Sequence, residues 1–525
     1  MSEKKYSFQN MNIIECIEKS FSVFLEENQI SYPFLSHEKL DKWDFQEYLN
    51  KNNILPLDLE KAPNLVELIP NISRSILKEN NEQLKLVKFF GTIQNIFENQ
   101  LYISAKYDSI NKKYLVNKYF ENNSNIINSE DNSLDLDGKV ILGDRLRLEV
   151  ATVPGLNEYF EKYDDFNDKK LIVYDYSNKF TKINQNILVI GVCYEKENFI
   201  VIHSWKILEN YERIKICKDY SLLSNIDEQR NVYRQKLKNF FLKALKNDQL
   251  SSDYLLLFLF SQIFSTIGTK NVGSFPLNLI LDTNNDINKC KDMFSNILSI
   301  FKKICLKTKD IKLTTEELNK DCYYPRFDAE KEELYPGKLQ LSDGTFLLVD
   351  EINMNEGKLV EIGIKNIAAI KNLIDFQLLS YDYPYSKIEI KHDIEILIVT
   401  HKTKSILSSP FLTLLPLISS NENNDCEDLT ENDMKFIFYY LNFIRYDTSF
   451  IEKFIISDEI SKSILNNYME NNKKFKDDDF DLVLKLSRFH AISYGRNHLT
   501  YDDYEYVVYL ENQRKERVEN YNKKK

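Results

Sequence analysis

Strand-like and helix-like segments alternate along the middle of this chain, and that alternation limits the fold more than any other feature. Apolar runs typical of strands are Phe275–Leu281, Phe346–Val349 and Ile394–Thr400, and helical patterns separate them at Cys290–Cys305 and Ile364–Leu373. Strands joined through helices pair in parallel, because the chain needs a crossover to return to the same edge of the sheet. The middle of the chain therefore predicts an α/β layer with a mostly parallel sheet.

A different pattern precedes this segment. Residues 84–210 contain short apolar runs separated by turns, which predict a small OB-like β-barrel. The runs are Leu86–Ile93, Gln100–Ser104, Arg145–Val153, Leu171–Tyr176, Ile187–Tyr194 and Phe199–Trp205. Polar residues 117–132 interrupt them, and we interpret this insertion as a surface loop or a disordered segment without chemistry of its own.

Helical patterns occupy both ends of the chain and the start of its middle segment. Residues 11–30 have apolar positions every three or four residues, and Asp227–Lys246 and Ser252–Ser265 predict a helix pair. The predicted fold is α/β with an all-β module. Its parts are an N-terminal helical lobe at 1–83, the barrel at 84–210, an α/β core at 235–410, a C-terminal helical lid at 430–515 and a polar tail at 516–525.

The composition indicates a folded protein with an acidic surface. The chain has 525 residues, 43% of them apolar, and a formal net charge of −11, so its surface on average repels phosphate. Its seven Cys form no CxxC pair, which favours a reducing compartment over a disulfide framework or zinc finger. The longest apolar run, Tyr254–Phe260, is far shorter than the ~20 residues of a membrane span. We therefore predict neither a secretion signal nor a transmembrane helix.

The clearest local motif is an apolar strand that ends in two carboxylates. Asp350 and Glu351 directly follow Phe346–Val349. In P-loop ATPases a strand of this type places an Asp on Mg²⁺, and a further residue positions the attacking water. Buried strands also emerge into acidic turns for structural reasons, so the motif needs a partner loop before it indicates an ATPase.

The partner loop of such a site, G-x-x-x-x-G-K-[ST], wraps phosphates with backbone N–H groups and a Lys. The strand expected to lead into it is Leu277–Leu281, and the residues that follow, Asp282–Lys289, contain no Gly. Asp282 and Asp286 stand where phosphates would lie, and Lys289 offsets only one such charge. The sequence predicts no catalytic residue, no cofactor and no small-molecule substrate, and Asp350 and Glu351 remain as a vestige.

The histidines and the remaining acidic residues predict no further site. The six His lie in separate predicted elements without metal-ligand spacing: His37, His203, His392, His401, His490 and His498. We therefore predict no metal site. Asp477–Asp479 precede a helix, where carboxylates interact favourably with the helix dipole.

From Asp253 onward the order of landmarks resembles the ATPase half of a minichromosome-maintenance helicase subunit. Tyr254–Ser265 is similar to the apolar helix ahead of its core, Leu277–Lys289 to its strand and phosphate loop, Gln340–Glu351 to its Walker B region, and Lys485–Glu511 to its helical lid. The resemblance implies a degenerate AAA+-like core. The positions that depart from the helicase pattern are His401 or Lys402 at the sensor Asn, Asp478 at the lid Arg, and Tyr381–Tyr385 at the hairpin tip that carries a DNA-gripping Lys.

The chain also resembles the MCM-binding protein family, a companion of that helicase, over roughly residues 84–515. The similar segments occur in family order: Val87–Tyr102, Ala151–Gly155, Ser252–Ser265, Gly273–Leu279, Leu347–Lys371, Ile374–Tyr385 and Ile456–Ile460. A polar linker that many members carry before the second barrel segment is short here. The resemblance implies a nuclear location, binding to the helicase subunits, and roles in their assembly, their unloading from chromatin, DNA replication and sister-chromatid cohesion.

Three functions remain open at this point. We expect a non-enzymatic partner that offers subunit-shaped surfaces to the helicase subunits. One alternative is a divergent AAA+ ATPase that uses Asp350 and Glu351 as catalytic carboxylates and Lys289 as a phosphate ligand. Another is a single-stranded-DNA-binding barrel, because such barrels stack bases on aromatic side chains. Glu98 and Glu149 make the groove a poor host for phosphate, so direct nucleic-acid binding is disfavoured.

Overall fold

The protein has a mixed α/β fold, as predicted, with 14 helices and several sheets in its described residues. The computed structural model describes residues 13–31, 35–51, 69–73, 85–108, 111–119, 140–161, 170–177, 182–196, 199–221, 229–268, 270–282, 286–330, 333–401, 405–407, 412–417, 430–471 and 477–524. Contacts divide the chain into two compact units, Met1–Val153 with Lys162–Ile214, and Pro154–Glu161 with Lys215–Lys525. No helix in these ranges is both long and apolar enough to cross a membrane.

Within the described residues of the first unit, three helices precede seven strands. The helices are α1 (Ile13–Glu27), α2 (His37–Asp41) and α3 (Phe45–Lys51). The strands are β1 (Lys85–Ile96), β2 (Gln100–Asp108), β3 (Lys113–Val116), β4 (Val140–Ala151), β5 (Lys170–Asp175), β6 (Asn186–Lys196) and β7 (Phe199–Leu208). All six strands predicted in this region are confirmed.

Five of these strands pair in a closed circuit, which we call the β-ring. The order is β1-β6-β7-β5-β4, and β4 pairs back onto β1, while β2 and β3 extend from β4. Every second side chain points into the ring, because side chains alternate along a strand. The interior is filled by apolar residues that include Val87, Phe89, Leu148, Val150, Val173, Val189 and Ile202.

Helix α4 (Tyr211–Ser221) leads to the elements of the second unit. Its strands are β8 (Ser265–Ile267), β9 (Lys270–Val272), β10 (Leu277–Leu281), β11 (Thr308–Lys312), β12 (Arg326–Asp328), β13 (Glu333–Tyr335), β14 (Thr345–Asp350), β15 (Leu378–Asp382), β16 (Lys387–Lys391), β17 (Ile394–His401) and β18 (Leu412–Leu414). Its helices are α5 (Arg230–Ala244), α6 (Gln249–Phe258), α7 (Ile287–Ile304), α8 (Thr315–Lys320), α9 (Glu361–Phe376), α10 (Glu431–Tyr446), α11 (Thr448–Ile451), α12 (Asp458–Asn471), α13 (Asp477–Ser493) and α14 (Tyr501–Lys524).

The centre of this unit is a five-stranded sheet in the order β11-β14-β17-β10-β18. Every neighbouring pair is parallel, and both β10 and β14 belong to it, which confirms the predicted parallel sheet. All five residues of β10 and all six of β14 are buried. Strands with both faces covered read as continuous apolar runs, which is why the sequence pattern was informative. A smaller sheet, β13-β12-β15-β16, lies in the same unit.

Two sequence predictions were wrong in part. The helix predicted at Ser252–Ser265 ends at Phe258, and Ser265 begins β8. The Arg445 guanidinium donates hydrogen bonds to the carbonyl oxygens of Leu259 and Ser261, both at 2.7 Å, so the chain leaves the helix with these acceptors satisfied. The insertion at 117–132 is not wholly a surface loop, because Lys118 and Tyr119 are buried; residues 120–132 lie outside the described ranges.

A short segment, Pro154–Glu161, packs in the second unit although its neighbours in the chain belong to the first. Asn157 donates from its amide nitrogen to the carbonyl oxygens of Lys302, Lys303 and Cys305 at 2.8 to 3.0 Å. These carbonyls belong to the end of α7, where intrahelical donors are missing. The segment therefore caps α7 from outside the helix.

Candidate functional site at the carboxyl edge of the parallel sheet

The residues singled out as vestigial lie along one edge of the parallel sheet. Strands β10, β14 and β17 end side by side there, at Leu281, Asp350 and His401, with β17 between the other two. In open α/β sheets ligands bind outside the carboxyl ends of the strands. A nucleotide site in this sheet would therefore lie at this edge.

The two carboxylates at the end of β14, Asp350 and Glu351, are buried and accept hydrogen bonds from the protein. Asp350 Oδ1 accepts from the Ile352 N–H at 2.9 Å. Glu351 Oε1 accepts from the Ser405 hydroxyl at 2.7 Å, and its Oε2 accepts from the Ile406 N–H at 3.3 Å. Burial raises the pKa of both carboxyls, and these hydrogen bonds act in the opposite direction. Glu351 holds the turn after β17, and Asp350 stabilises its own strand end.

The start of α7, where a phosphate would bind, carries an acidic cap. The Asp286 carboxylate accepts from the N–H groups of Asn288 and Lys289 at 3.2 and 3.3 Å. Those are the donors that a helix N-terminus offers to a phosphate. Lys289 Nζ lies 3.6 Å from Asp286 Oδ2, with its side chain 72% exposed. Residues 283–285 lie outside the described ranges, and Asp282 directly follows β10.

The other positions taken from the helicase resemblance are distributed around this edge. His401 is half-buried at the end of β17, paired in register with Leu281, and Lys402 lies outside the described residues. Asp478 lies in the first turn of α13, and its side chain is outside the description. Tyr381–Tyr385 forms the end of β15 and the turn into β16, as expected of a hairpin tip, and Tyr385 is fully exposed there.

Two of the histidines, His203 and His490, contact other buried side chains. His203 Nδ1 lies 2.6 Å from the Tyr176 hydroxyl, and His490 Nδ1 lies 2.7 Å from Asp503 Oδ1. Within the described residues, no group of three or more His, Cys, Asp or Glu side chains is arranged to hold a metal ion.

Sequence reasoning missed a cluster of buried charges that includes Asp393, Glu395 and Arg445. Glu395 has no exposed surface, and burial together with the neighbouring Asp393 raises the pKa of Glu395 to about 8. Burial also raises the pKa of Asp393 to about 6, while Arg445 acts in the opposite direction on both carboxyls. The signal was available, because Glu395 interrupts the apolar run Ile394–Thr400.

Together the fold and the site define a class: an α/β protein whose parallel sheet ends in carboxylates that serve internal hydrogen bonds. A family model described as Mini-chromosome maintenance replisome factor matches residues 200–518, more than half of the chain. The chain belongs to this family.

Similarity to individual proteins points in the same direction. Three relatives are each named Mini-chromosome maintenance complex-binding protein. The protein from Arabidopsis thaliana is 30% identical over 290 residues, which cover 54% of this chain and 47% of the relative. The Gallus gallus protein is 27% identical over 309 residues (57% and 47%), and the Homo sapiens protein is 26% identical over 322 residues (59% and 48%). The chain spans about half the length of the curated relatives it matches.

Proposed function

We propose that this chain is a non-enzymatic binding partner of the minichromosome-maintenance helicase subunits. One observation carries the proposal: the parallel sheet is intact, while the residues at its carboxyl edge are engaged with each other. Asp286 caps α7, and Glu351 accepts hydrogen bonds from Ser405 and Ile406. Membership of the family and the names of the relatives support the choice of partner.

The second unit is proposed to act as a look-alike of a helicase subunit. Its parallel sheet, its hairpin at β15–β16 and the helices α10–α14 support a degenerate AAA+-like core with a helical lid. A ring subunit presents two unlike faces to its neighbours, so a look-alike can fill one contact without closing a ring. The closed circuit of the β-ring supports an OB-like barrel in the first unit.

The cellular roles extend this proposal. From the family resemblance we infer action in the nucleus, in helicase assembly, in unloading from chromatin, in DNA replication and in sister-chromatid cohesion. These roles all require a contact with helicase subunits, so the contact is the step to test first.

The divergent-ATPase alternative has less support. It needs Asp350 and Glu351 to face a metal-bound nucleotide and Lys289 to reach a phosphate. Both carboxylates are 6% exposed, and the Lys289 ammonium lies beside the helix cap. A triphosphate at the start of α7 would meet the Asp286 carboxylate at close range, where like charges repel strongly.

The test is co-expression of the full chain with each helicase subunit separately, followed by affinity capture. We expect at least one subunit to be retained in stoichiometric amount. Glu351→Gln is expected to retain it equally, because the change preserves the shape of a side chain that a working ATPase needs for turnover. Failure of every subunit to be captured by a folded full-length chain contradicts the proposal, and loss of capture by Glu351→Gln revives the enzymatic alternative.

A further inference from the structure

The outer face of the β-ring carries aromatic and basic side chains. Tyr174 alternates with the inward residue Val173, so it lies on the outer face of β5. The guanidinium carbon of Arg145 lies 3.7 Å from the Tyr174 ring centroid and 5.3 Å from that of Tyr102. An Arg145 amino group also donates to the Tyr176 hydroxyl at 3.4 Å. Proteins that bind single-stranded nucleic acids combine cations, which contact the phosphates, with aromatic side chains, on which the bases stack.

This aromatic face extends to residues that follow β3. The ring of Tyr119 lies 5.3 Å from the ring of Tyr176 in an edge-on arrangement. Lys118 is 6% exposed, with its ammonium 5.4 Å from the Tyr119 ring centroid. Two cations, Lys118 and Arg145, are therefore buried against the same cluster. Burying a cation is costly unless an anionic or aromatic partner faces it.

The segment Asp41–Phe45, which runs from the last residue of α2 to the first residue of α3, covers this face. Trp43 is buried with its ring 5.6 Å from that of Tyr119, and Phe45 is buried with its ring 5.1 Å from that of Trp205. The Lys118 ammonium lies 6.0 Å from the Trp43 ring. Asp41 and Asp44, in the same segment, are exposed residues.

The electrostatics of Lys118 link it to those carboxylates. Burial lowers the pKa of Lys118, and the charges of Asp41 and Asp44 act in the opposite direction. The covering segment thus packs two aromatic rings edge-on against an aromatic face, and it carries two carboxylates whose charges act on Lys118. A single strand supplies the same two kinds of group, aromatic bases and negatively charged phosphates.

We propose that the outer face of the β-ring is a binding site for single-stranded nucleic acid, and that Asp41–Phe45 occupies it as an internal mimic. Two acidic side chains of the β-ring strands, Glu149 and Asp175, have other partners. Glu149 lies 3.7 Å from the Lys170 ammonium, and Asp175 accepts hydrogen bonds from the backbone and hydroxyl of Ser177. The intact chain binds single strands weakly, because a strand must first displace the segment.

The test measures fluorescence anisotropy of a labelled oligothymidylate of about 15 nucleotides with the full chain. Asp41→Asn with Asp44→Asn removes the two charges and keeps the shape of the segment. We expect the affinity to rise at least about tenfold and to fall steeply between about 50 and 200 mM salt. Adding Arg145→Gln to this double variant should abolish the rise in affinity for the oligonucleotide. The control, Glu38→Gln with Glu47→Gln, makes the same charge change at exposed positions of α2 and α3 and should leave the affinity unchanged.

Two results overturn the proposal. One is a folded Asp41→Asn, Asp44→Asn variant that binds no more tightly than the parent chain or the control. The other concerns a labelled peptide of residues 36–51. If that peptide binds the chain carrying Trp43→Ala and the oligonucleotide does not displace it, the face accepts acidic aromatic peptides and not nucleic acid. Circular dichroism checks the fold of each variant, and if Trp43→Ala does not fold, the isosteric double variant decides.

Discussion

A carboxyl inside an apolar strand makes the stability of this protein depend on pH. Glu395 is completely buried in β17, and the pKa of its carboxyl is raised to about 8 by burial and then by Asp393. The folded state therefore holds this proton at pH values where the unfolded chain has released it. Stability from this group is fully present below the ordinary Glu pKa and is lost as the pH rises toward 8.

Glu395→Gln should remove that dependence. Gln has nearly the shape of the protonated carboxyl and does not ionise, so we expect the free energy of unfolding to change less between about pH 5 and pH 8 than in the parent chain. Urea unfolding at several pH values measures this. The control Glu389→Gln changes an exposed carboxyl on β16 and should leave the pH profile unaltered. If the free energy of unfolding changes with pH in the same way for the parent chain and Glu395→Gln, the raised pKa of Glu395 is contradicted.

Asp503 contributes a pH dependence of the opposite sign. Burial alone would raise the pKa of this carboxyl, but hydrogen bonds from His490, Thr500 and Arg496 hold the pKa well below its ordinary value. Its contribution is present at neutral pH and is lost as the pH falls into the acid range. Glu395 and Asp503 therefore lower the stability at opposite ends of the pH range.

Among the larger elements, the segment Pro154–Glu161 depends on one glycine. Gly155 has φ +70°, and a Cβ placed there would lie 2.0 Å from the Thr308 carbonyl oxygen. Its own carbonyl oxygen accepts a hydrogen bond from the Thr308 N–H at 2.9 Å. The backbones approach so closely that only a residue without a side chain fits.

We expect Gly155→Ala to lower the free energy of unfolding by about 3 kcal/mol, because clash and backbone strain act together. Gly268→Ala is the matched control. Gly268 has φ +61° with open space where a Cβ would lie, so it should lose only about 1 kcal/mol from backbone strain. Denaturant unfolding of both variants measures the difference. If both variants lose the same free energy of unfolding, the close approach of Gly155 to Thr308 adds nothing to the cost of the substitution.

A buried charge cluster joins α6 and α14. The Tyr254 hydroxyl donates to Glu511 Oε1, and the Arg514 guanidinium donates to both Glu511 oxygens at 2.7 to 3.1 Å. Glu511 is 1% exposed, so its removal leaves a largely buried guanidinium without its carboxylate.

Glu511→Ala should therefore lower the free energy of unfolding by about 3 kcal/mol. Glu505→Ala, at an exposed position of the same helix, should change it by less than about 0.5 kcal/mol. Thermal or denaturant unfolding followed by circular dichroism provides the measurement. A loss for Glu511→Ala no larger than that for Glu505→Ala would rule out a stabilising role for the cluster.

At the scale of the whole molecule, we expect the folded protein not to bind Mg-ATP. A ligand that binds only the folded state stabilises it by about 2.7 kcal/mol at a concentration one hundred times its Kd. With the start of α7 capped by Asp286, we expect Mg-ATP at about 1 mM to leave the melting temperature unchanged. Differential scanning fluorimetry with and without Mg-ATP, with EDTA as the control, tests this. A saturable Mg-dependent rise would show that a nucleotide site survives.

Much of the architecture was predictable because local patterns report burial directly. The apolar runs at β10, β14 and β17 are buried on both faces, and a run of that kind needs no knowledge of its neighbours to be recognised. The helical period before and after the sheet was equally informative. The position of Asp350 and Glu351 at a strand end followed from the same run of residues.

The amino-acid sequence by itself predicted the main strands and helices and the parallel character of the central sheet, but not short strands such as β8, β9, β12 and β13. Only the tertiary structure decided that β4 closes onto β1, that Asn157 caps α7, and that Glu351 binds the turn at Ser405. The physical reason is the distance along the sequence between the interacting residues. Side-chain periodicity is set by residues two to four positions apart, whereas strand closure and hydrogen bonds between distant residues depend on the free energy of the whole fold.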